Sequence, residues 1–374
     1  MTTRPYVRPT RALLHLGALK SNMASLRSLL PKDTRILGIV KANAYGHGTV
    51  LMAKTLQRLG AVGVGVADVS EALVLRDASY RGTIVCLGAI SPDGLDEAVH
   101  RNLIVTLYSH DQLRIFEEAA RRHRKLLRVH VKVDTGMHRL GLEPEEWVST
   151  AQRLGAVRTL KVEGIFTHFS ESDNPDAAFT RRQLYLYRRA LGVFEGSLGR
   201  RLIRHTANIG AVLALPESHF DWVRPGIALY GYPPRVSAAE KLRFRPVLHW
   251  KAPILQIKRL VRGETVGYNR AFRATRDTTM ATVASGYGDG FRRSFARAGV
   301  GFRGRRCKIL GLVGMDLLMV DVSRFFDARP GQEVTLMDDG SDGAADAYEL
   351  ARADRTVPYE VLTGIHARVS RIVC

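Results

Sequence analysis

Cysteine is nearly absent: Cys86, Cys307 and Cys374 are the only three in 374 residues. Their spacing suits neither a Cys-x-x-Cys metal site nor a disulfide framework, so a reducing, cytoplasmic setting is expected. Long hydrophobic runs are missing as well. None approaches the roughly 20 residues that cross a bilayer, and no membrane partner is expected. The apolar stretch 12–19 is too short for a span and lacks the small-residue cleavage site of a secretory signal. Acid is scarce: 36 Asp and Glu stand against 56 Lys and Arg, a net charge of +20, and the first acid is Asp33. Such a surplus raises the question of nucleic acid. Yet the arginines are scattered, as in Arg181-Arg182 and Arg292-Arg293, and no RRM, KH, zinc-finger or helix-turn-helix signature accompanies them. The charge reads as a solvated basic surface, without a nucleic-acid partner.

The remaining composition is that of a folded protein, and the length suits two domains. After a short basic lead that includes Arg4 and Arg8, residues 13–16 read as a strand. Leu19, Met23, Leu26 and Leu30 then sit at helical spacing. From about residue 12 to 230, short apolar runs alternate with amphipathic stretches. The runs cover 35–40, 62–67, 83–87, 104–108, 127–133, 162–166, 203–206 and 227–229. Helical patterns lie between them at 49–59, 110–121 and 179–191. Strand then helix, repeated about eight times, is the rhythm of an α/β (β/α)8 barrel. After the break at Gly231-Tyr-Pro-Pro234 the pattern turns mainly β, with runs at 253–260, 278–284, 307–313, 317–322 and 332–336 and a helix at 344–353. The expected division is a barrel over 1–240 and a mainly β domain over 241–374.

Barrel chemistry gathers at the C-terminal ends of the strands. Lys41 stands there, after the apolar run 36–40, in the string KANAYGHG. Low-dielectric walls depress a lysine's pKa and suit it to Schiff-base chemistry, although a lone lysine at a strand end is more often a solvated cap. Other chemical strings follow in order: VKVDTGMHRLGL (131–142), FTHFSESD (166–173), VRPGIALYG (223–231), ETVGYNRAF (264–272), GYGDGFRR (286–293), GMD (314–316) and PYEVLTGI (358–365).

Together these strings resemble the alanine racemase family along nearly the whole chain. The resemblance implies a pyridoxal 5'-phosphate (PLP) barrel followed by a β domain. It also implies interconversion of L- and D-alanine by two bases. Lys41 would carry the cofactor and act as one base, and Tyr268 would act as the other from the opposite face of the substrate Cα. By the same resemblance Arg224 faces the pyridine nitrogen, Arg139 the cofactor's phenolic oxygen and His168 the ring, with His205 behind Arg224. Tyr45 and the amides of Gly226 and Ile227 would hold the phosphate beside Asn208. Met315 and Asp316 would border the substrate carboxylate, with Tyr287 at the entrance. Lys132 matches a lysine often carbamylated in the family, which would remove its conflict with Arg139. The family is a head-to-tail homodimer whose second domains complete each other's sites.

Several positions depart from the family pattern. Ile209 stands where a serine usually touches the phosphate, His138 where a glycine is usual, Gly314 where a cysteine is usual, and Ala367 where several members carry a tyrosine at the pocket mouth. Some serine turnover beside alanine is therefore expected. A histidine metal site is not expected, since no third ligand falls at suitable spacing. Other PLP barrels are disfavoured. Decarboxylases place a carboxylate where Arg224 stands, and carrier proteins lack the second domain.

Overall fold

The computed structural model describes residues 8–174, 176–240 and 242–374; of the basic lead, Arg4 lies outside them. The chain opens with a strand, β1 (Arg11–Leu14), and a helix over 16–27 that buries Leu19, Met23 and Leu26. A ring of parallel strands follows: β2 (Arg35–Ile39), β3 (Gly63–Val66), β4 (Thr83–Cys86), β5 (Ile104–Leu107), β6 (Leu127–Lys132), β7 (Leu160–Phe166), β8 (Ile203–His205) and β9 (Trp222–Val223). Neighbours in sequence are neighbours in space, and β9 pairs back onto β2. Between β8 and β9 the ring closes through Asp221 N–H to Arg204 O (3.1 Å), Arg224 N–H to Ala207 O (2.9 Å) and a parallel bridge from Asn208 to Arg224. Every residue of β3 and β5 is buried. A strand covered on both faces is apolar without alternation, which is why these runs stand out in the sequence. Helices wrap the outside; the one over 112–122 turns Leu113, Phe116, Ala119 and Ala120 inward.

Two of the expected strands differ. The run 227–229 is a buried 3-10 turn (Gly226–Tyr230), and the eighth strand is Trp222–Val223 just before it. Pro225 and the positive φ of Gly226 (41°) end the strand there, and a short buried apolar run cannot tell strand from helix by its periodicity. The run 307–313 forms only the end of a strand, with one isolated bridge from Ile309 to Val320.

The second half is a mainly β domain. Its spine is β10 (Leu248–Leu260). A two-stranded ribbon, β11 (Thr265–Val266) and β12 (Phe272–Arg273), carries Tyr268 between its strands. Then come β13 (Thr278–Val283), β14 (Val300–Phe302), β15 (Arg305–Cys307), β16 (Leu318–Asp321), β17 (Glu333–Met337), helices over 347–354 and 358–363, and β18 (Ser370–Val373). The N-terminal strand β1 lies in this sheet, antiparallel to β10 and parallel to β18. The expected unit 1–240 thus takes in a strand whose ladder bonds belong to the second half. Tyr348 O–H also reaches across to Pro233 O, and Arg371 to Gly46 O (2.9 Å).

The segment after β2 is unusual. Ala42, Asn43, Ala44 and Tyr45 all have φ between 51° and 54°, a left-handed turn built from non-glycine residues. Each such residue costs roughly 1–2 kcal/mol. The turn is held from outside: Glu71 accepts from Ala42 N–H (2.6 Å) and Ala67 N–H (2.8 Å), and Asn43 Oδ1 accepts from Thr49 N–H (3.1 Å). Gly46 ends it at φ 80°, where a β-carbon would lie 2.1 Å from Leu362 O. Gly46→Ala is therefore expected to destabilise the protein by about 2–5 kcal/mol, summing left-handed strain and overpacking. A urea unfolding midpoint equal to the parent's would contradict this.

Candidate active site

The C-terminal mouth of the ring holds a cavity of about 300 Å³. Its cationic residues come from three strand ends. Lys41 follows β2, Lys132 ends β6 with Arg139 in the loop beyond, and Arg224 follows β9. Tyr45, His168, Asn208, Ile209 and Gly226 also line it, and no carboxylate does. Nearly all the barrel residues singled out in the sequence thus meet here. Ile227 lies next to Gly226, buried within the 3-10 turn.

Arg224 is the most firmly held. Its Nη1 donates to His205 O (2.6 Å) and His205 Nδ1 (2.9 Å), and its Nη2 to Thr167 O (2.6 Å) and Thr206 O (3.0 Å). The guanidinium lies over the Phe166 ring, 5.4 Å from its centroid. With both terminal nitrogens engaged by protein acceptors, Nε–H is the donor left to the cavity. Burial pulls its pKa down to about 10, so the charge persists at neutral pH. A guanidinium only donates. His205 Nδ1 must therefore accept, which puts its proton on Nε2, facing His130 Nδ1 at 2.9 Å. Burial, reinforced by Arg224, holds His205 and His168 well below the ordinary imidazole range, and burial takes His130 down to about 3.

The lysines feel the same pressure. Lys41 projects into the open cavity, yet the surrounding walls strip enough water to lower its pKa; Arg139 adds to the shift and Glu71 opposes it. Lys132 is buried, and its pKa falls to about 8, first through desolvation and then through Arg139 and Arg224, against Asp134. The loop from β6 to Arg139 is shaped by Asp134, whose Oδ1 accepts from Gly136 N–H (2.7 Å) and Met137 N–H (3.0 Å). His138, in the glycine position, adopts φ 51° and is exposed. Asp134, His138 and Glu143 each bring one ligand atom within 4.8 Å of the others, a cluster that sequence spacing does not reveal because the loop folds back on itself. Two of the three are exposed, and nothing further marks a metal site there.

Asn208 lines the cavity, but its side chain is largely spent on structure. It caps the helix over 209–214 through Ala211 N–H (3.2 Å) and donates to Phe169 O (3.1 Å). Tyr359, from the second domain, also lines the cavity, 5.8 Å from the Tyr45 ring. Sequence reasoning did not single it out, although its signal was there in PYEVLTGI. Ala367 is exposed and not part of the cavity lining. Tyr268, Met315 and Asp316 lie elsewhere, in a groove of about 420 Å³ on the second domain with Leu317 and Met319. The two depressions share no lining residue. Tyr268 is 73% exposed, and Tyr287, Met315 and Leu317 are also exposed. One chain does not bring Tyr268 to Lys41.

Two family models match the chain, "Alanine racemase, N-terminal domain" over residues 14–234 and "Alanine racemase, C-terminal domain" over 247–373. The alanine racemase of Symbiobacterium thermophilum is 37% identical over 366 residues, 98% of this chain and 97% of that one. That of Desulfovibrio desulfuricans is also 37% identical, over 98% of each. Among solved structures, alanine racemase from Clostridium difficile 630 superposes with a TM-score of 0.92 at 31% identity, covering 99% of this chain and 96% of that one. The Bacillus anthracis alanine racemase with bound L-Ala-P gives 0.91 at 30% identity, with 99% and 96% covered.

The Arg224 contact fixes a testable state. Between about pH 5.5 and 8, His205 is expected to stay neutral with its proton on Nε2, because its low pKa keeps it below the window where imidazoles titrate. Nitrogen-15 shifts of labelled histidine report this directly. A His205 that titrates within that range would refute the arrangement.

Proposed function

Since the chain belongs to the alanine racemase family, we propose that it binds PLP in the cavity at the barrel mouth and works as a head-to-tail dimer with composite sites. The reaction itself, interconversion of L- and D-alanine, follows from the family. The observation that carries the cofactor reading is the convergence of Lys41, Lys132, Arg139 and Arg224 on one cavity without a carboxylate. That donor set fits a phosphate, a phenolate oxygen and a pyridine nitrogen. Gly226 supports the fit: at φ 41° a β-carbon would come 3.1 Å from the Tyr45 hydroxyl, so its lack of a side chain keeps space for the phosphate beside that hydroxyl.

When bound, PLP supplies the electron sink that makes the Cα proton of an amino acid removable. The chain's own groups do the rest. Lys41 would hold the cofactor, and its lowered pKa would leave more of its free amine unprotonated to take a proton at Cα. Arg224 would offer Nε–H to the ring nitrogen and, being itself charged, would give it no proton. Arg139 would face the phenolic oxygen and His168 the ring, while Tyr45 and the amides of Gly226 and Ile227 would hold the phosphate. Tyr268 serves as the second base. Because its own chain leaves it exposed beside Met315 and Asp316, it acts in the partner's site, and two-fold symmetry makes both sites equivalent. Tyr287 stands at the entrance. The unit 1–240 supplies most of the cofactor cavity, and 241–374 adds Tyr359 to that cavity while presenting Tyr268, Met315 and Asp316 to the partner. The three free cysteines accord with a cytoplasmic protein.

The decisive experiment incubates the protein with L-alanine in heavy water. Deuterium at Cα is expected in both enantiomers, and more slowly with L-serine, since a pocket rejects an added hydroxyl by only about 1–3 kcal/mol. Lys41→Ala and Tyr268→Phe should each be nearly inactive alone. Mixed after dissociation they should recover activity, because each heterodimer keeps one intact site. No recovery despite proven subunit exchange would end the composite reading.

Lys132 carries a further expectation. With a pKa of about 8, well below an ordinary lysine, a usable minority of its amine is neutral near physiological pH and able to add to CO2, forming an N–C bond and releasing a proton. The resulting carbamate would replace a positive charge by a negative one beside Arg139. Carbon-13 bicarbonate should give a carbamate resonance at about pH 8 that disappears in Lys132→Ala and fades on acidification, as protonation removes the nucleophile. An unlabelled protein at that pH would refute it.

A further inference from the structure

We propose that Asp289 is a positioning residue for racemisation, holding Tyr287, Met315 and Asp316 as one rigid edge that borders the partner's substrate pocket. The inference rests on the composite-dimer reading above. Asp289 comes from the string GYGDG, and its side chain is fully buried. Two guanidiniums converge on it. Arg8 engages it through Nε and through Nη2 (2.8 Å), and Arg368 Nε lies 2.8 Å from its Oδ1. Both arginines continue to the neighbouring segment. Arg368 Nη2 donates to Asp316 Oδ1 (2.8 Å), and Arg8 Nη2 to Asp316 O (3.0 Å). Two cations and two carboxylates thus form a balanced cluster, with Asp289 at its buried centre and Asp316 at its exposed rim.

The backbone repeats the connection. Tyr287 N–H donates to Gly314 O (3.0 Å) and Gly288 N–H to Met315 O (2.8 Å). Asp289 Oδ2 accepts from Gly286 N–H (3.0 Å), which closes the turn that presents Tyr287. A β-carbon on Gly286 would lie 2.3 Å from Gly314 O, and one on Gly288 2.4 Å from the Arg368 guanidinium. The approach is as close as glycine allows. What this buried, charge-matched lock supports is exposed. Met315 is 55% and Tyr287 42% accessible in the single chain. A lock that served folding alone would be expected to bury such side chains. This one fixes them facing outward, in register with the groove that holds Tyr268.

Neutralising Asp289 would leave two guanidiniums beside a single carboxylate, and the repulsion would swing Arg368 and Asp316 out of place. None of these groups reaches the Lys41 cavity of its own chain, so the cofactor should be unaffected. In the PLP-loaded enzyme, Asp289→Asn is expected to raise KM for both alanine enantiomers about tenfold while kcat changes less than about threefold, the signature of lost ground-state binding. The cofactor's visible absorption and the dimer mass should be unchanged. Arg368→Gln, at a partly exposed position, should give the same split and decides the matter if Asp289→Asn does not fold. An unchanged KM in the folded variants, or a loss falling on kcat alone, would overturn the proposal.

Heterodimers purified by two tags separate this from the dimer reading. Lys41→Ala paired with Asp289→Asn should show the parental KM, because its one live site takes the intact edge. The chain carrying both changes, paired with the parent chain, should show the raised KM. The reversed pattern would keep Asp289 as a positioning residue within its own chain and overturn the composite arrangement.

Discussion

Four cationic groups, Lys41, Lys132, Arg139 and Arg224, face one cavity whose lining contains no carboxylate. In a partly desolvated space that arrangement opposes itself, and its consequences run through the molecule. Burial first, and the neighbouring cations after it, lower the two lysines and keep His168 and His205 neutral. Arg224 is tolerated inside because its charge is spread over backbone carbonyls and a neutral imidazole, the kind of satisfaction that buried charge requires. What the wall lacks is negative charge, the complement that an anionic ligand would supply. The same imbalance would favour the phosphate of the proposed cofactor.

The barrel was legible in the sequence because its strands are covered on both faces. Runs such as 104–107 carry no competing alternation, and most are followed by a polar residue at the mouth. The eighth strand was misplaced because Trp222–Val223 is two residues long, and the more conspicuous apolar run behind it is a buried turn. β1 was recognised as a strand, but its partners were not. Pairing across more than 200 residues leaves no local trace, and only the sheet shows that 11–14 lies between β10 and β18. In the site, the motifs led to Lys41, Arg139 and Arg224 but not to what holds them. Glu71 reads as an ordinary helix residue, yet its carboxylate pins the turn after Lys41.

The two halves are more closely joined than a barrel with an appendage. β1 leaves the second sheet to begin the barrel, Arg371 returns to Gly46, and Tyr359 enters the cavity from the second domain of the same chain. The second domain therefore faces two ways. Its 358–363 helix closes the cavity of its own chain, while the ribbon with Tyr268 and the edge at 314–316 turn outward. Some of the arginines that look like free surface charge in the sequence are paired with carboxylates within each half, as in Arg204 with Asp221 and Arg292 with Asp354.

The left-handed turn at 42–45 bears on why the site is built this way. Four residues in that region, at roughly 1–2 kcal/mol each, are a large charge against a domain's modest net stability. Such strain persists only where surroundings over-determine it, and here they do. Glu71 binds the first amide, Asn43 ties back to Thr49, and Gly46 fits against Leu362 with no room for a side chain. The turn lets Lys41 leave β2 at the mouth while Tyr45, four residues on, folds back beneath Gly226. A right-handed turn of the same length would carry Tyr45 along a different path, away from that glycine. The strain is thus coupled to placing Lys41 and the Tyr45 hydroxyl together on one short segment, and its supports all lie outside the cavity lining.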